Sequence, residues 1–216
     1  MAKELEHSRV IAAAAMTALR PLGLYRKGRS RTWLDDRAWW LGIVEFQPSS
    51  WSKGSYLNVG VTWLWDEFPH LAYHVGGRVD GFGHGFETYS DDERFKDVAD
   101  KLARKAADEV SMLRKIFADP SRCANYYENL GEVTPNSYFH AGVSCGLSGQ
   151  SPAAESWFRR YLAIDDNRPF VLEKKARVRE LLAKLVDEQA FKSNVRSSII
   201  RTRELLRLPS LADWPF

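Results

Sequence analysis

The sequence predicts an α+β fold: an N-terminal helix, an antiparallel sheet of about five strands packed by a long helix, and an all-helical C-terminal part. Three observations lead to this prediction. Aromatic and β-branched residues concentrate at residues 39–65, as in the middle of a sheet. An apolar stripe with helical spacing follows Ser90, and from Ser121 onward the spacing is helical only. We therefore expect an α+β domain at residues 1–119 and a helical extension at residues 120–216.

The composition is that of a soluble globular protein. Of 216 residues, 44% are hydrophobic and 27% are charged, which is enough apolar material for a core and argues against disorder along the whole chain. No stretch approaches the roughly 18–20 apolar residues of a membrane span. The two cysteines, Cys123 and Cys145, have no CxxC spacing and are too few for a disulfide scaffold, so we expect reduced thiols in the cytosol. We expect a cytoplasmic protein with no membrane partner.

The N-terminal elements follow from apolar spacing and from residues that end helices. Residues 2–19 carry apolar side chains at three- and four-residue steps and a run of alanines, which predicts a helix. Pro21 and Gly23 end this helix, because proline cannot continue the hydrogen-bond ladder and glycine readily takes the left-handed cap. A polar turn then separates two short predicted strands, residues 24–27 and 31–34.

The central stretch predicts the main strands of the sheet. Residues 39–46 are apolar on both sides, as in a strand that is covered on both faces. Residues 56–65 alternate, and residues 70–75 alternate again after Pro69. The short connections favour an antiparallel meander. One face of the second strand is apolar, and the other bears Tyr56, Asn58, Gly60 and Thr62.

The rest of the chain predicts a glycine-rich loop and then helices. Residues 76–85 contain five glycines and match neither the phosphate-loop nor the dinucleotide pattern, so we prefer a mobile loop to a ligand lid. Ser90 and Glu93 have capping-box spacing, which predicts the start of a long helix ending near Ala118. Five more helices are predicted, at residues 123–130, 136–147, 153–164, 169–185 and 191–206.

Residues 138–164 resemble one tetratricopeptide-type helical hairpin. Gly142 and Ala154 are small enough to let two helices approach closely, and Phe158 would fill the groove between them. A repeat array needs about three such units, whereas the sequence contains one. We therefore expect a helical hairpin that serves as a docking surface, and not a peptide-binding superhelix.

The N-terminal half resembles a bacterial family. Residues 21–27 read PLGLYRK, residues 46–49 read FQPS and residues 58–61 read NVGV. In this order they resemble the turn and strand elements of the domain of unknown function 4304 family, over roughly residues 5–117. Residues 74–78 resemble that family's later histidine-to-arginine stretch less closely. The resemblance implies a helix followed by a sheet of this kind, and it implies no mechanism.

The polar face of the sheet is the main candidate site. The predicted pairing places hydrogen-bonding side chains over an apolar platform, which suits a small polar ligand or another protein. The alternative is the solvated side of a half-buried sheet, since antiparallel sheets ordinarily expose one polar face, or a seam where polar groups bond to a covering helix. The candidate ligand- or partner-binding residues are Gln47, Asn58, Thr62, His70, His74 and Arg78.

Metal binding and nucleophilic catalysis have simpler structural alternatives. On one strand His70 and His74 would stand roughly 13 Å apart, at about 3.3 Å per residue, too far for one ion. Cys145 lies on a predicted helix and is interpreted as a small buried hydrophobe. We therefore predict no catalytic residue, no metal and no cofactor. The residues that could ligate a metal in this region are His70, His74, His84, Asp80 and Glu87.

Two groups of basic residues suggest a further alternative. Together with a tryptophan such as Trp51, they would bind nucleic acid through phosphate contacts and stacking. Acidic residues interleave the second group, which favours a salt-bridged helix face, so nucleic acid is not the expected partner. The first group is Arg26, Lys27, Arg29 and Arg31. The second is Lys174, Lys175, Arg177, Arg179, Arg196, Arg201, Arg203 and Arg207.

The sequence thus predicts a non-enzymatic binding or protein-interaction module of bacterial type that uses the polar face of its sheet. Its expected partner is another protein or a small polar ligand. The first alternative is a ligand-processing or hydrolase-type enzyme with a site around His70, His74 and Arg78. The weaker alternative is nucleic-acid binding through the basic hairpin and the tail.

Overall fold

The computed structural model of the protein describes residues 6–79, 85–131 and 134–216. These residues form an N-terminal helix, a six-stranded antiparallel sheet with five strands on its main path, and then mostly helices. The predicted α+β class is confirmed. Within the described ranges, no helix combines the length and the apolar character needed to cross a membrane.

The strands all lie in the first half of the chain, between the first two helices. In chain order these elements are α1 (Glu6–Leu19), a 3-10 turn (Arg20–Leu22), β1 (Tyr25–Arg26), β2 (Thr32–Asp36), β3 (Trp40–Gln47), β4 (Gly54–Trp63), β5 (Val75–Arg78), β6 (Phe86–Thr88) and α2 (Asp92–Ile116). The later helices are α3 (Pro120–Glu128), α4 (Pro135–Leu147), α5 (Ser151–Leu162), α6 (Pro169–Lys184) and α7 (Glu188–Leu205).

The chain divides into two compact units. The first comprises Met1–Thr62 and Leu71–Arg114, and the second comprises Trp63–His70 and Lys115–Phe216. The first unit therefore holds the sheet with α1 and nearly all of α2. The second holds α3 to α7 together with the end of β4 and the segment that follows it.

The end of α1 is where the sequence predicts it. Pro21 lies in the 3-10 turn, and Gly23 has a φ of 84°, the left-handed conformation that glycine adopts without strain. The Gly23 N–H donates to the carbonyl of Arg20 at 2.9 Å. This cap turns the chain into β1. The predicted helix residues 2–5 lie outside the described ranges.

The sheet has the order β1-β2-β3-β4-β5, and β6 also pairs with β4. All the described pairings are antiparallel. β5 pairs with the middle of β4, where Arg78 lies opposite Asn58. β6 pairs with the beginning of β4, where Phe86 lies opposite Tyr56. β5 and β6 thus share the β4 edge.

Both helices of the first unit lie on one face of the sheet. Arg114 of α2 donates to the carboxylate of Asp35 in β2, at 2.7 and 2.8 Å. Arg31, which has the same side-chain direction as Asp35, hydrogen-bonds to Ser8 of α1. Val44 in β3 pairs with Trp33 in β2, and Trp33 points to the same side as Asp35. Glu45 follows Val44, so its side chain lies on the opposite face of the sheet. This opposite face carries the candidate site.

Two local predictions differ from the structure. Residues 70–74 form no strand, because the Thr62 side chain binds the Ala72 backbone in place of a ladder partner; the strand begins at Val75. The N-cap of α2 is Asp91 and not Ser90, since Asp91 Oδ1 accepts from the Arg94 N–H at 2.9 Å. The short strand β6 was not predicted.

The second unit contains the close helix approach that the sequence predicts. A Cβ atom on Gly142 of α4 would lie 2.5 Å from the ring of Phe158 in α5, so this ring packs directly on the glycine backbone. Gly146, one turn later, faces the ring of Phe191 in α7 in the same way. The two glycines let α4 contact α5 and α7 closely.

An aromatic cluster forms part of the core of the second unit. Trp63 is fully buried, stacks on Trp65 at 5.0 Å between ring centroids, and meets Phe117 edge-on at 4.9 Å. Its indole N–H donates to the hydroxyl of Tyr127 at 2.7 Å. A buried tryptophan usually needs such an acceptor for its N–H. The end of β4 is thereby integrated into the helical core.

Candidate functional site

Three of the predicted site residues meet on the polar face of the sheet. Asn58 of β4 donates from Nδ2 to Gln47 Oε1 of β3 at 2.8 Å. Arg78 of β5 donates from Nε to Asn58 Oδ1 at 3.1 Å and from Nη2 to Gln47 Oε1 at 2.9 Å. The amides of Gln47 and Asn58 therefore hold one edge of the guanidinium across three adjacent strands.

Tyr56 supplies a fourth contact with Arg78. The guanidinium carbon lies 3.6 Å from the centroid of the Tyr56 ring, within the range of a cation–π interaction. Phe86 of β6 packs against the same ring at 4.7 Å. The hydrogen bonds therefore orient the Arg78 guanidinium, and the Tyr56 ring supports one of its faces. We call Gln47, Tyr56, Asn58 and Arg78 the arginine platform.

A carboxylate lies beside the arginine platform. Glu45 Oε2 accepts from Asn58 Nδ2 at 3.1 Å and from the Tyr73 hydroxyl at 3.5 Å. Burial and the neighbouring Glu45 charge raise the pKa of Tyr73, so its phenol stays a hydrogen-bond donor. Gly60 is required at this position, because a Cβ atom would clash with the backbone carbonyl of Val75 and would lie 2.7 Å from the Tyr73 ring.

Among the residues that the structure describes, no carboxylate neutralises the charge of Arg78. Its two hydrogen bonds go to neutral amide oxygens, and it forms no ion pair with any carboxylate in the part of the chain that the structure describes. Arg114, in contrast, is bonded to the carboxylate of Asp35 and to the Leu22 carbonyl. Arg78 is also exposed. The platform therefore presents an oriented positive charge to the solvent.

The other three predicted site residues are not members of the arginine platform. Thr62 is buried, and its hydroxyl is hydrogen-bonded to the backbone of Ala72. His74 precedes β5, and burial lowers its pKa to about 4, so the ring is neutral near pH 7. His70 belongs to the second unit, where it contacts Phe68 at 5.6 Å between ring centroids.

Of the residues named for a metal site, two lie outside the described ranges and one lies in a strand. His84 and Asp80 lie outside the described ranges, as does most of the second half of the predicted glycine-rich loop. Its first two glycines, Gly76 and Gly77, are part of β5. Glu87 lies in β6.

The basic hairpin uses two of its four cations internally. Arg26 donates to the carbonyls of Ser30 and Arg29, at 2.5 and 2.9 Å, which closes the turn. Arg31 contacts the His7 ring at 3.0 Å. Lys27 and Arg29 remain exposed.

Most tail cations also have partners inside the second unit. Arg201 forms a two-point ion pair with Glu67, at 2.6 and 2.8 Å. Arg203 is buried and donates to the Pro209 carbonyl. Arg196 donates to the Phe216 carbonyl. Such contacts favour the structural interpretation of the tail over a phosphate-binding face.

The second unit contains a buried charged cluster that the sequence did not predict. Lys174 of α6 contacts the Asp66 carboxylate, and His140 Nε2 lies 3.9 Å from the other oxygen of Asp66. Trp65 donates to His140 Nδ1 at 3.1 Å, which assigns the ring proton to Nε2, facing Asp66. Burial and Arg177 lower the pKa of Lys174, whereas the Asp66 charge acts in the opposite direction.

This cluster is best interpreted as structural. His140 is 1% exposed and Asp66 is 7% exposed, and each charged atom has a partner within the unit. The three residues lie on separate elements, so no spacing in the sequence connects them. Both cysteines are buried as well, and burial raises the pKa of Cys123 and of Cys145, the latter to about 12, which disfavours the nucleophilic thiolate.

Sequence reasoning missed three members of the candidate site. Tyr56 was placed on the polar face by its alternation but was not counted as a site residue. Glu45 alternates with Val44 and Phe46 in β3 and has the same side-chain direction as Gln47, so its place on the polar face was also readable from the sequence. Tyr73 had no such signal, because it precedes β5 in an irregular segment.

No family model, curated protein or solved structure matches this chain. The resemblance of the N-terminal half to the domain of unknown function 4304 family therefore stays a prediction.

Proposed function

We propose that the protein is a non-enzymatic interaction module that binds a partner protein on the polar face of its sheet, at the arginine platform. The observation that carries this proposal is the state of Arg78: exposed, oriented by Gln47 and Asn58, stacked on Tyr56, and without a carboxylate partner among the described residues. Arginine and tyrosine are enriched among the residues that dominate binding at protein interfaces.

Pre-organisation is the physical reason for preferring a binding role. An arginine loses rotamer freedom when it binds, and two hydrogen bonds and an aromatic contact have already restricted this side chain in the free protein. A solvated arginine on an ordinary sheet surface needs no such support. The enzyme alternative draws less support, because the platform holds no imidazole and His74 is a weak base at a pKa of about 4.

The experiment that tests the proposal compares Arg78→Ala with Arg29→Ala. Arg29 is an exposed arginine in the same unit, so it controls for loss of one positive charge. Proteins retained by the immobilised full chain are identified, purified and titrated against each variant by calorimetry. We expect Arg78→Ala to weaken binding about 30-fold, which corresponds to about 2 kcal/mol, and Arg29→Ala to leave it unchanged.

Two results would contradict the proposal. One is a partner whose affinity is equal for the wild type and Arg78→Ala. The other is an equal loss with both variants, which would indicate a general charge effect. Raising the salt concentration distinguishes a general charge effect from a specific contact at Arg78, since the general effect is screened more strongly.

A further inference from the structure

We infer that the partner presents an acidic segment, and that one of its aspartate or glutamate carboxylates docks on the open end of the Arg78 guanidinium. This inference rests on the proposed function and specifies the chemistry of the partner. It follows from the donors that Arg78 has left, from the charges around it and from an exposed aromatic residue at the end of the same strands.

The donors of Arg78 are divided between two edges. A guanidinium has five N–H groups, and the described contacts use two of them. Both lie on the side edge formed by Nε and Nη2, which Asn58 and Gln47 occupy. The end edge, formed by Nη1 and Nη2, retains its N–H groups. Two parallel N–H groups on one edge match the two oxygens of a carboxylate.

The surrounding charges favour one carboxylate over a phosphate-rich ligand. Arg78 is the only cation of the arginine platform, and the Glu45 carboxylate is joined to it through Asn58, which is hydrogen-bonded to both. A phosphate group at neutral pH carries nearly two charges and would be repelled by Glu45. A carboxylate carries one charge. Glu45 would in turn favour a hydroxyl or a cation next to that carboxylate in the partner.

Trp51 extends the proposed interface. It is 94% exposed and lies in the loop that joins β3, which ends at Gln47, to β4, which carries Tyr56. Tryptophans are rarely so exposed, and they are the residue type most enriched in binding hot spots. An acidic segment with a neighbouring apolar side chain would contact both Arg78 and this loop.

The test uses three short peptides with the full-length chain: acetyl-Ala-Glu-Ala-amide, its glutamine analogue and its phosphoserine analogue. The readout is the Nε–H resonance of Arg78 in the 15N-labelled protein, assigned by its loss in Arg78→Lys. We expect a saturable shift with the glutamate peptide and none with the glutamine peptide. The affinity for the glutamate peptide, followed at the Asn58 amide, should fall about tenfold or more in Arg78→Lys, which keeps the charge and loses the fork.

The outcomes separate this inference from the proposed function. Equal shifts with glutamate and glutamine peptides, or tighter binding of the phosphoserine peptide, would overturn the inference. So would the absence of any saturable shift at tens of millimolar peptide. In each case the partner titration with Arg78→Ala decides the proposed function independently: a loss of affinity there supports binding at the platform by other chemistry, and unchanged affinity overturns both.

Discussion

Replacing Trp63 with alanine is expected to lower the free energy of unfolding by about 4 kcal/mol, the largest effect of any single substitution considered. Trp63 is fully buried, and its ring contacts Trp65 and Phe117. Truncation would leave a cavity that neighbouring side chains on different elements cannot fill. It would also leave the Tyr127 hydroxyl without the indole donor that it accepts from. Chemical denaturation followed by circular dichroism measures the change.

Trp51→Ala is the matched control, because Trp51 is 94% exposed. Its substitution should change the free energy of unfolding by less than about 0.5 kcal/mol. Tyr127→Phe isolates the hydrogen bond and should lower stability by about 1 kcal/mol. If Trp63→Ala were no more destabilising than Trp51→Ala, the integration of the end of β4 into the helical core would be wrong.

Asp35→Ala is expected to lower the free energy of unfolding by about 3 kcal/mol. Asp35 is 3% exposed and accepts two hydrogen bonds from Arg114, at 2.7 and 2.8 Å. Without this carboxylate, the guanidinium would lie over the sheet with only the Leu22 carbonyl as a described acceptor. The cost arises from a half-buried charge that has lost its counter-charge, and denaturation curves again measure it.

The exposed pair Glu155–Arg159 controls for ion pairs in general. These side chains lie 2.6 Å apart and are 47% and 68% exposed, so Glu155→Ala should lower stability by less than about 0.5 kcal/mol. The double variant Asp35→Leu, Arg114→Met removes both charges and should recover most of the loss. A loss from Asp35→Ala no greater than that from Glu155→Ala would show that the pair does not fasten α2 to the sheet.

The sequence predicted the fold class because its periodicities are strong. The alternation in β4 and the apolar stripe of α2, which has three- and four-residue steps, each predict one element type. The close packing of Gly142 on Phe158 was predicted from the resemblance to a tetratricopeptide-type hairpin and from residue size. The prediction of a strand at residues 70–75 was wrong for residues 70–74. There the Thr62 side chain is hydrogen-bonded to the Ala72 backbone in place of a ladder partner, and alternation in the sequence does not reveal such a bond.

The candidate site was half predictable. Asn58 and Gln47 share a face by alternation, and Arg78 joins them because β5 pairs with β4 in a register that short connections favour. The predicted grouping with His70 and His74 assumed a regular strand through both residues, whereas β5 begins at Val75. Contacts such as Lys174 with Asp66 join residues more than one hundred positions apart, and local patterns carry no information about them.

The central claim is that the arginine platform is where the partner binds, and amide hydrogen exchange with and without the partner tests it most directly. We expect slower exchange in residues 45–47, 56–60 and 75–78 of the complex, with unchanged exchange in residues 26–31 and in the helices of the second unit. Slower exchange confined to residues 26–31 or to those helices, with the three sheet segments unchanged, would contradict it.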